Sequence, residues 1–454
     1  MSSQSRLFAI NQWFLLIILL WAPLPKGSNT DWSAALLVFL VATSLFIWSI
    51  HLLRTKHSSL PIKSPAVILS GLLLLFQVWV AGQWLFETKY DPAQHFQYLM
   101  LGVAYSSMFI LVLAHFRKRV DLTKLIAVLI ISGTFQAFYG TSVVLGAMEP
   151  FLFEKVHYMT DATGTFVNRN HLAGYLVMVI GLGIGLMLAM RDGREWNWRN
   201  FMELVLSNKM KIRLALVVMV IGLVMSHSRM GNTAFFIGLI IVGAMFIFSL
   251  KEHRVRNSLL LVSFIVIDII IISQYFGLDK LKERLMNTEV TVTQQSGEVL
   301  VDINDLRGPI FEKSMHLFEQ APLVGIGAGG YEVAFMPLAG PNFGGVVDHV
   351  HNDYIEFLVE YGLIGVIPLA LFVAIALSYA IRSLRNRQSY YRSGIGFGSA
   401  MAIIGILAHS FTDFNLHIPA NALTFVVVCA IAVLSFTHES HSRKRVKKRR
   451  LSSE

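Results

Sequence analysis

Apolar runs of around twenty residues recur along almost the whole chain, and this feature constrains the fold more than any other. An α-helix of that length spans a bilayer, because each residue advances the helix by about 1.5 Å. The mean hydropathy is +0.59 and only 15% of the 454 residues are charged, against about a quarter in an ordinary soluble domain. The sequence therefore predicts an all-α polytopic membrane protein.

We identify twelve such runs, and their hydrophobicity extends around the whole helix rather than along one stripe. The first run follows Arg6 without a small-residue cleavage site, so it is interpreted as an uncleaved helix and not a signal peptide. The predicted membrane helices lie at residues 7–24, 33–53, 65–86, 96–115, 122–147, 171–190, 212–227, 232–250, 258–276, 354–380, 394–412 and 418–437.

The distribution of Lys and Arg predicts the orientation. With a cytoplasmic N-terminus, most of the 38 Lys and Arg residues fall in inner segments, and every inner loop is basic. The net charge of +10 then reflects topology, and the basic tail at 438–454 contacts anionic lipids rather than nucleic acid. Arg169 and Arg229 lie on the outer side at helix ends, where the cost of desolvation predicts an anionic partner, or a side chain that snorkels to the interface.

One outer loop is long, and it is the predicted subdomain outside the membrane. We expect an amphipathic helix at 278–285, a second helix from near Asp305, and an irregular Gly- and Pro-rich segment at 321–345. The apolar side of the second helix is predicted to comprise Ile310, Phe311, Met315 and Phe318. The predicted divisions are 1–164 (helices 1 to 5), 165–276 (helices 6 to 9), 277–353 (the outer subdomain), 354–437 (helices 10 to 12) and 438–454 (the tail).

The stretch DHVHNDYIEFLVEYGLIG at 348–365 combines acid–base groups with the start of a long apolar helix. His349 and His351 alternate, so an extended backbone would direct both to one side. Asp353 is predicted to be the N-cap, with Glu356 completing a capping box. This arrangement predicts a fixed position for a reactive imidazole at the membrane edge, and a merely polar helix start is the structural alternative.

Three further polar clusters share the predicted outer side. His409 and Asp413 are four residues apart and are predicted to share a helix face. Asp268, within the ninth predicted span, is expected to pair with Arg229 or with a neighbouring helix. The three clusters are TFVNRNHLAG at 165–174, SHSRMGN at 226–232 and AHSFTDFNLHIP at 408–419.

Several familiar chemistries fit these residues poorly. The G-x-G-x-x-G of 325–330 lacks a strand–helix context and is predicted to be a turn. His349 and His351 could ligate a metal ion, but no third set of ligands is spaced to help, and no nucleophile elbow is present. Arginines that bind a diphosphate, with a histidine that takes a proton from a hydroxyl, need neither a metal nor a nucleotide.

These motifs resemble the O-antigen ligase and polymerase superfamily of bacterial membrane glycosyltransferases. The resemblance covers most of the chain from the sixth helix onward, while the first five helices match only in hydropathy. DFNLHIPANA at 413–422 is similar to the exopolysaccharide-polymerase branch. The motifs that carry the resemblance are HNDYIEFLVEYGLIG at 351–365, APLVGIGAGGY at 321–331 with upstream Arg307, SRMG at 228–231 and FVNRNHLAG at 166–174.

The resemblance implies a glycan donor linked to undecaprenyl diphosphate and transfer to an acceptor hydroxyl without metal or cofactor, at the periplasmic face of the inner (plasma) membrane. It places the catalytic histidine at His351 and diphosphate-binding arginines at Arg229 and Arg307, with a looser match at Arg307. The implied acceptor is a glycan or lipid A-core, and membrane lipids are the remaining partners. The predicted substrate-binding residues are Asn168, Arg169, His171, His349, Asn352, Asp353, His409 and Asp413.

The favoured mechanism is an inverting displacement in which the arginines stabilise the leaving diphosphate, His351 is the general base and Asp353 or another acid orients it. Ligase and polymerase both remain open. A transporter or lipid-linked glycan flippase is the rival interpretation, although the chain shows no paired halves. A non-catalytic assembly subunit is a third, and it predicts no special sensitivity at His351.

Overall fold

The computed structural model describes residues 3–54, 64–86, 90–150, 152–155, 157–190, 208–249, 262, 293–295, 298–300, 307–339 and 347–438. These residues contain α1 (Ser3–Trp21), α2 (Asp31–Arg54), α3 (Ser64–Phe86), α4 (Pro92–His115), α5 (Arg119–Val144), α6 (Arg169–Ala189), α7 (Asn208–Met225), α8 (Arg229–Ser249), α9 (Arg307–Gln320), α10 (Tyr331–Ala339), α11 (Asp353–Leu384), α12 (Tyr390–His409) and α13 (Pro419–Thr437). They also contain 3-10 turns at Lys26–Ser28 and Asn415–His417, and an antiparallel hairpin of β1 (Thr293–Gln295) and β2 (Glu298–Leu300).

The all-α polytopic prediction is confirmed. Nine helices in the described part of the chain are long and apolar enough to cross a membrane, and α1 contributes a shorter apolar segment, Arg6–Trp21. Every predicted span except 258–276 coincides with a described helix, and within 258–276 the structure describes only residue 262. The total of twelve spans therefore stays a prediction.

Helix α6 lies at the centre of the bundle, with α5, α7, α8, α12 and α13 packed around it. Its closest neighbour is α12, and glycines on both helices allow the approach. A Cβ atom at Gly185 would lie 2.5 Å from the carbonyl oxygen of Gly394 and from the Cα of Gly398. Small residues at such a contact let two membrane helices pack closely, which is how bundles gain van der Waals energy in lipid.

Helix α11 is broken at Gly362, where φ is 62° and ψ is 179°. The break interrupts the helical hydrogen-bond ladder, so the carbonyl groups before it need other donors. The N–H groups of Ile326 and Gly327 donate to the carbonyl oxygens of Val359 and Glu360, at 2.9 and 3.0 Å. The predicted turn at 325–330 is confirmed, and it supplies hydrogen-bond donors to the carbonyl groups at the break in α11.

Two predictions for the long outer loop are corrected. In α9, Ile310 and Leu317 are buried, whereas Met315 is 37% exposed, so the apolar side is shifted away from Met315. Part of the segment predicted to be irregular forms α10, because Tyr331 and Phe335 are four residues apart and bury one apolar face against α9. The predicted helix at 278–285 lies outside the described residues.

Candidate functional site

His351 lies in the turn that begins α11. Its φ angle is +56°, a left-handed conformation that is uncommon for a residue other than glycine. The side-chain oxygen of Asn352 accepts hydrogen bonds from the N–H groups of Tyr354 and Ile355, at 3.0 and 3.2 Å. Asn352 is therefore the N-cap, and the prediction of Asp353 is wrong by one residue because the left-handed turn starts the helix earlier.

Asp353 instead turns into the protein and joins α11 to the segment 410–417. Its carboxylate accepts hydrogen bonds from the Ser410 hydroxyl at 2.6 Å and from the Leu416 N–H at 3.2 Å, and it lies 2.9 Å from Nδ1 of His417. The Asp353 side chain is 1% exposed. Satisfying a buried carboxylate in this way holds two distant segments together.

Glu356 bridges two histidines. Its Oε1 atom lies 2.5 Å from Nδ1 of His349 and 3.4 Å from Nε2 of His417, while its Oε2 accepts from the Val350 N–H at 2.9 Å. The predicted capping box is therefore wrong, since the carboxylate bonds to Val350 and not to the N-cap. Oε2 of Glu360 lies 3.8 Å from the same His417 nitrogen. We call these five side chains the acid–histidine cluster: His349, Asp353, Glu356, Glu360 and His417.

The acid–histidine cluster stabilises positive charge. Burial alone would lower the pKa of His417, but the carboxylates of Glu356, Asp353 and Glu360 outweigh it and raise that pKa well above its usual value. Burial likewise lowers the pKa of His349, but the carboxylate of Glu356 outweighs it, so that pKa is also raised. Three carboxylates in a dry interior thus create a strong preference for a bound cation or proton.

A second group of histidines surrounds Asp413. Nε2 of His171 lies 3.6 Å from an Asp413 oxygen, and His409 is completely buried. Burial opposes ionisation of Asp413, yet its pKa is lowered by His171 first and then by the charges of His409 and His351. Helix α12 ends at His409, so the predicted shared helix face is wrong. The chain leaves the helix because the carbonyls of Ser410 and Asp413 both accept from the Asp353 N–H.

Phe414 is the common packing surface for three of these imidazoles. His349 stacks on its ring at a centroid distance of 3.9 Å, while His171 and His351 contact it edge-on at 4.7 and 5.0 Å. Residues of three of the polar stretches, 165–174, 348–365 and 408–419, therefore meet around Phe414. His349 and His351 are both half-buried, and His351 is the one that lies in the left-handed turn.

Arg169 has an anionic partner, as the cost of desolvation predicted. Its guanidinium lies 2.8 Å from Oδ2 of Asp161 and 5.5 Å from the centre of the Tyr158 ring. Nδ1 of His227 lies 2.5 Å from the other oxygen of Asp161. Neither Asp161 nor His227 was singled out from the sequence, although His227 lies within the SHSRMGN cluster. Asn168 is the N-cap of α6 and accepts from the backbone at 2.8 Å.

The two predicted diphosphate-binding arginines both begin helices. Arg229 is the exposed first residue of α8, two positions after His227. Arg307 is the first residue of α9, and its side chain lies outside the described part of the chain. Asp268 also lies outside the described residues, so its predicted pairing stays a prediction.

An apolar cavity of about 150 Å³ borders the acid–histidine cluster. It lies between α3, α4, α11 and α13, and His417 contributes to its wall. His417 was not singled out from the sequence, although it lies in the DFNLHIP stretch at 413–419. The aromatic residues that line the cavity are Phe76, Tyr98, Tyr105, Phe357, Tyr361, Phe372 and Phe425.

A comparison with protein families matches residues 214–370 to the family described as O-antigen ligase. The matched segment runs from α7 into α11 and includes Arg229, Arg307, His351 and the acids of α11. A search of the curated proteins finds no match for the chain. The match at residues 214–370 supports the resemblance to the O-antigen ligase and polymerase superfamily.

Proposed function

We propose that the chain transfers or polymerises a glycan from an undecaprenyl-diphosphate-linked donor onto an acceptor hydroxyl at the periplasmic face of the inner membrane. The observation that carries this proposal is the position of His351. Its half-buried imidazole is held in a left-handed turn by the Asn352 cap and contacts Phe414, inside the matched O-antigen ligase segment. A rigid, partly accessible imidazole at a helix start is suited to proton transfer.

In the proposed reaction, His351 takes the proton of the acceptor hydroxyl while that oxygen forms a bond to the anomeric carbon of the donor. The bond between the anomeric carbon and the diphosphate oxygen breaks, and the diphosphate leaves with the electron pair. Histidine is the side chain that most often serves as a general base near neutral pH. Such a base contributes about 10²–10⁴-fold to the rate.

Arg229 is proposed to bind the departing diphosphate, with Arg307 as a second ligand. Arg229 is exposed at the N-terminus of α8, where the helix dipole favours anions and no described residue buries its guanidinium. A guanidinium pairs with two phosphate oxygens at once and keeps its charge. Arg169 already forms an ion pair with Asp161, which also contacts His227. We therefore propose that Arg169 holds the loop before α6 in place and does not bind the diphosphate.

The apolar cavity is proposed to receive part of the isoprenoid chain of the donor. Most of its wall consists of aromatic and aliphatic side chains, and His417 of the acid–histidine cluster contributes to it. A lipid-linked donor needs this pairing of an apolar passage with a polar reaction centre. The break of α11 at Gly362 resembles those of transporters, but the carbonyl groups of Val359 and Glu360 before it accept hydrogen bonds from Ile326 and Gly327.

The test is a glycan-transfer assay on membranes that contain equal amounts of protein. His351→Ala is expected to lose activity by a factor on the order of 10²–10⁴ while its membrane level stays normal, because the residue precedes the helix. The matched control is His316→Ala, whose imidazole is exposed on α9 beside Glu319 and should retain transfer. Wild-type transfer by His351→Ala would refute the assignment of the base.

A further inference from the structure

The acid–histidine cluster contains acceptor atoms that face one another. Nδ1 of His417 lies 2.9 Å from Oδ1 of Asp353, so in the neutral ring a proton on Nδ1 would be bonded to Asp353 and the lone pair would be on Nε2. That nitrogen faces Oε1 of Glu356 at 3.4 Å and Oε2 of Glu360 at 3.8 Å. Among the described residues, neither the His417 Nε2 nor the Glu360 Oε2 has a hydrogen-bond partner.

A convergence of buried acceptors is unfavourable unless a positive charge lies between them. A proton fits these gaps poorly, because N–H···O hydrogen bonds span about 2.7–3.2 Å. Two ligands of a tetrahedral zinc ion, each bonded at about 2.0–2.2 Å, lie about 3.3–3.6 Å apart. The separations of 3.4 and 3.8 Å around Nε2 of His417 are close to that spacing.

We propose that Nδ1 of His349, Oε1 of Glu356 and Nε2 of His417 bind a divalent cation of the zinc class, with Glu360 as a fourth ligand. The first three atoms all lie within 4.8 Å of one another. The short contact between His349 and Glu356 lengthens when the ion enters between them. Asp353 is the carboxylate that fixes the tautomer of His417, an arrangement typical of metal-bound histidines.

The partner of His349 in this site is His417, and not His351 as the H-x-H spacing suggested. The ion joins the segment 347–350 and the first turns of α11, which follow it directly, to the 3-10 turn Asn415–His417, which is distant in sequence. It therefore fixes both sides of the turn that carries His351 without taking part in the proposed transfer. The His349 side chain is 17% exposed, against 1% for Glu356 and His417, so the ion enters past His349.

The experiment measures zinc in the full-length chain purified in detergent. The protein is dialysed against zinc, passed over a chelating resin and analysed by mass spectrometry for metal content. The wild type is expected to retain about one zinc per chain, and His417→Gln and Glu360→Gln are expected to lose most of it. His316→Gln, which removes an exposed histidine beside Glu319, should retain the wild-type content. A wild type without bound zinc would overturn the proposal, as would equal zinc in His417→Gln.

A second measurement uses the wild type alone, so it does not depend on the folding of a variant. A strong chelator should lower its thermal unfolding temperature, and added zinc should restore it, because an ion that binds only the folded state stabilises it. Cobalt in place of zinc should give the intense visible bands of a tetrahedral site. If neither chelator nor zinc changes the unfolding temperature, protons and not a metal ion neutralise the carboxylates of the cluster, and the proposal is overturned. Neither readout involves glycan transfer, so both are independent of the proposed function.

Discussion

Gly362→Ala is predicted to destabilise the protein, because the break in α11 depends on a backbone conformation that alanine rarely adopts. With φ at 62° and ψ at 179°, a residue with a Cβ incurs strain of about 1–3 kcal/mol. The Cβ would also overlap backbone atoms of Leu323 and Gly325, so the turn must move away. Four backbone hydrogen bonds join the turn to α11: Ile326 N to Val359 O, Gly327 N to Glu360 O, Leu363 N to Pro322 O and Ile364 N to Leu323 O.

Each of these bonds contributes about 0.5–1.5 kcal/mol, so losing two of them costs about 1–3 kcal/mol. Together with the strain, the expected loss of stability is about 2–6 kcal/mol. The assay is thermal unfolding of the purified chain in detergent, where Gly362→Ala should unfold several degrees below the wild type.

The matched control is Gly82→Ala in α3, where no heavy atom lies within 4 Å of the added Cβ. That variant should be as stable as the wild type or more stable, by up to about 1 kcal/mol, because alanine favours the helix. If Gly362→Ala unfolds at the same temperature as Gly82→Ala, the docked turn does not support the break, and this explanation of α11 is wrong.

Three other predictions concern charge and topology. Arg229→Lys should lose most of the transfer activity although the charge is kept, since an ammonium cannot pair bidentately with phosphate. Arg307→Lys should show a smaller loss. Wild-type transfer rates in both variants would show that these arginines are interfacial anchors. Asp161→Asn should lower the stability by about 3 kcal/mol, because a nearly buried carboxylate loses charged contacts to a guanidinium and an imidazole, and an unchanged unfolding curve would contradict this. In a Cys429→Ser background, a cysteine introduced at position 300 should react with an impermeant thiol reagent while the inner membrane is intact. Labelling only after the inner membrane is opened would show that the orientation is the reverse of the proposed one.

Much of the site was predictable because its motifs are local. The acid-rich start of α11, the TFVNRNHLAG entry to α6 and the AHSFTDFNLHIP segment are short patterns, and the structure brings all three together around Phe414. The partner of Arg169 was predicted only as a class of residue. Its identity, Asp161, depends on how the loop before α6 folds back, and no spacing rule specifies that.

The amino-acid sequence by itself determined the membrane helices, because a run of about twenty apolar residues favours a helix across the bilayer whatever its tertiary contacts are. It also determined that a histidine and several acids stand together at the start of α11. Only the tertiary structure decided which groups meet: Asp353 with His417 across 64 positions, and Asn352 instead of Asp353 as the helix cap. It likewise decided the break at Gly362, since that conformation is stable only where the N–H groups of Ile326 and Gly327 replace the lost helical donors. Such choices follow from the need to satisfy buried polar groups, and the partners that satisfy them come from segments far apart in the chain.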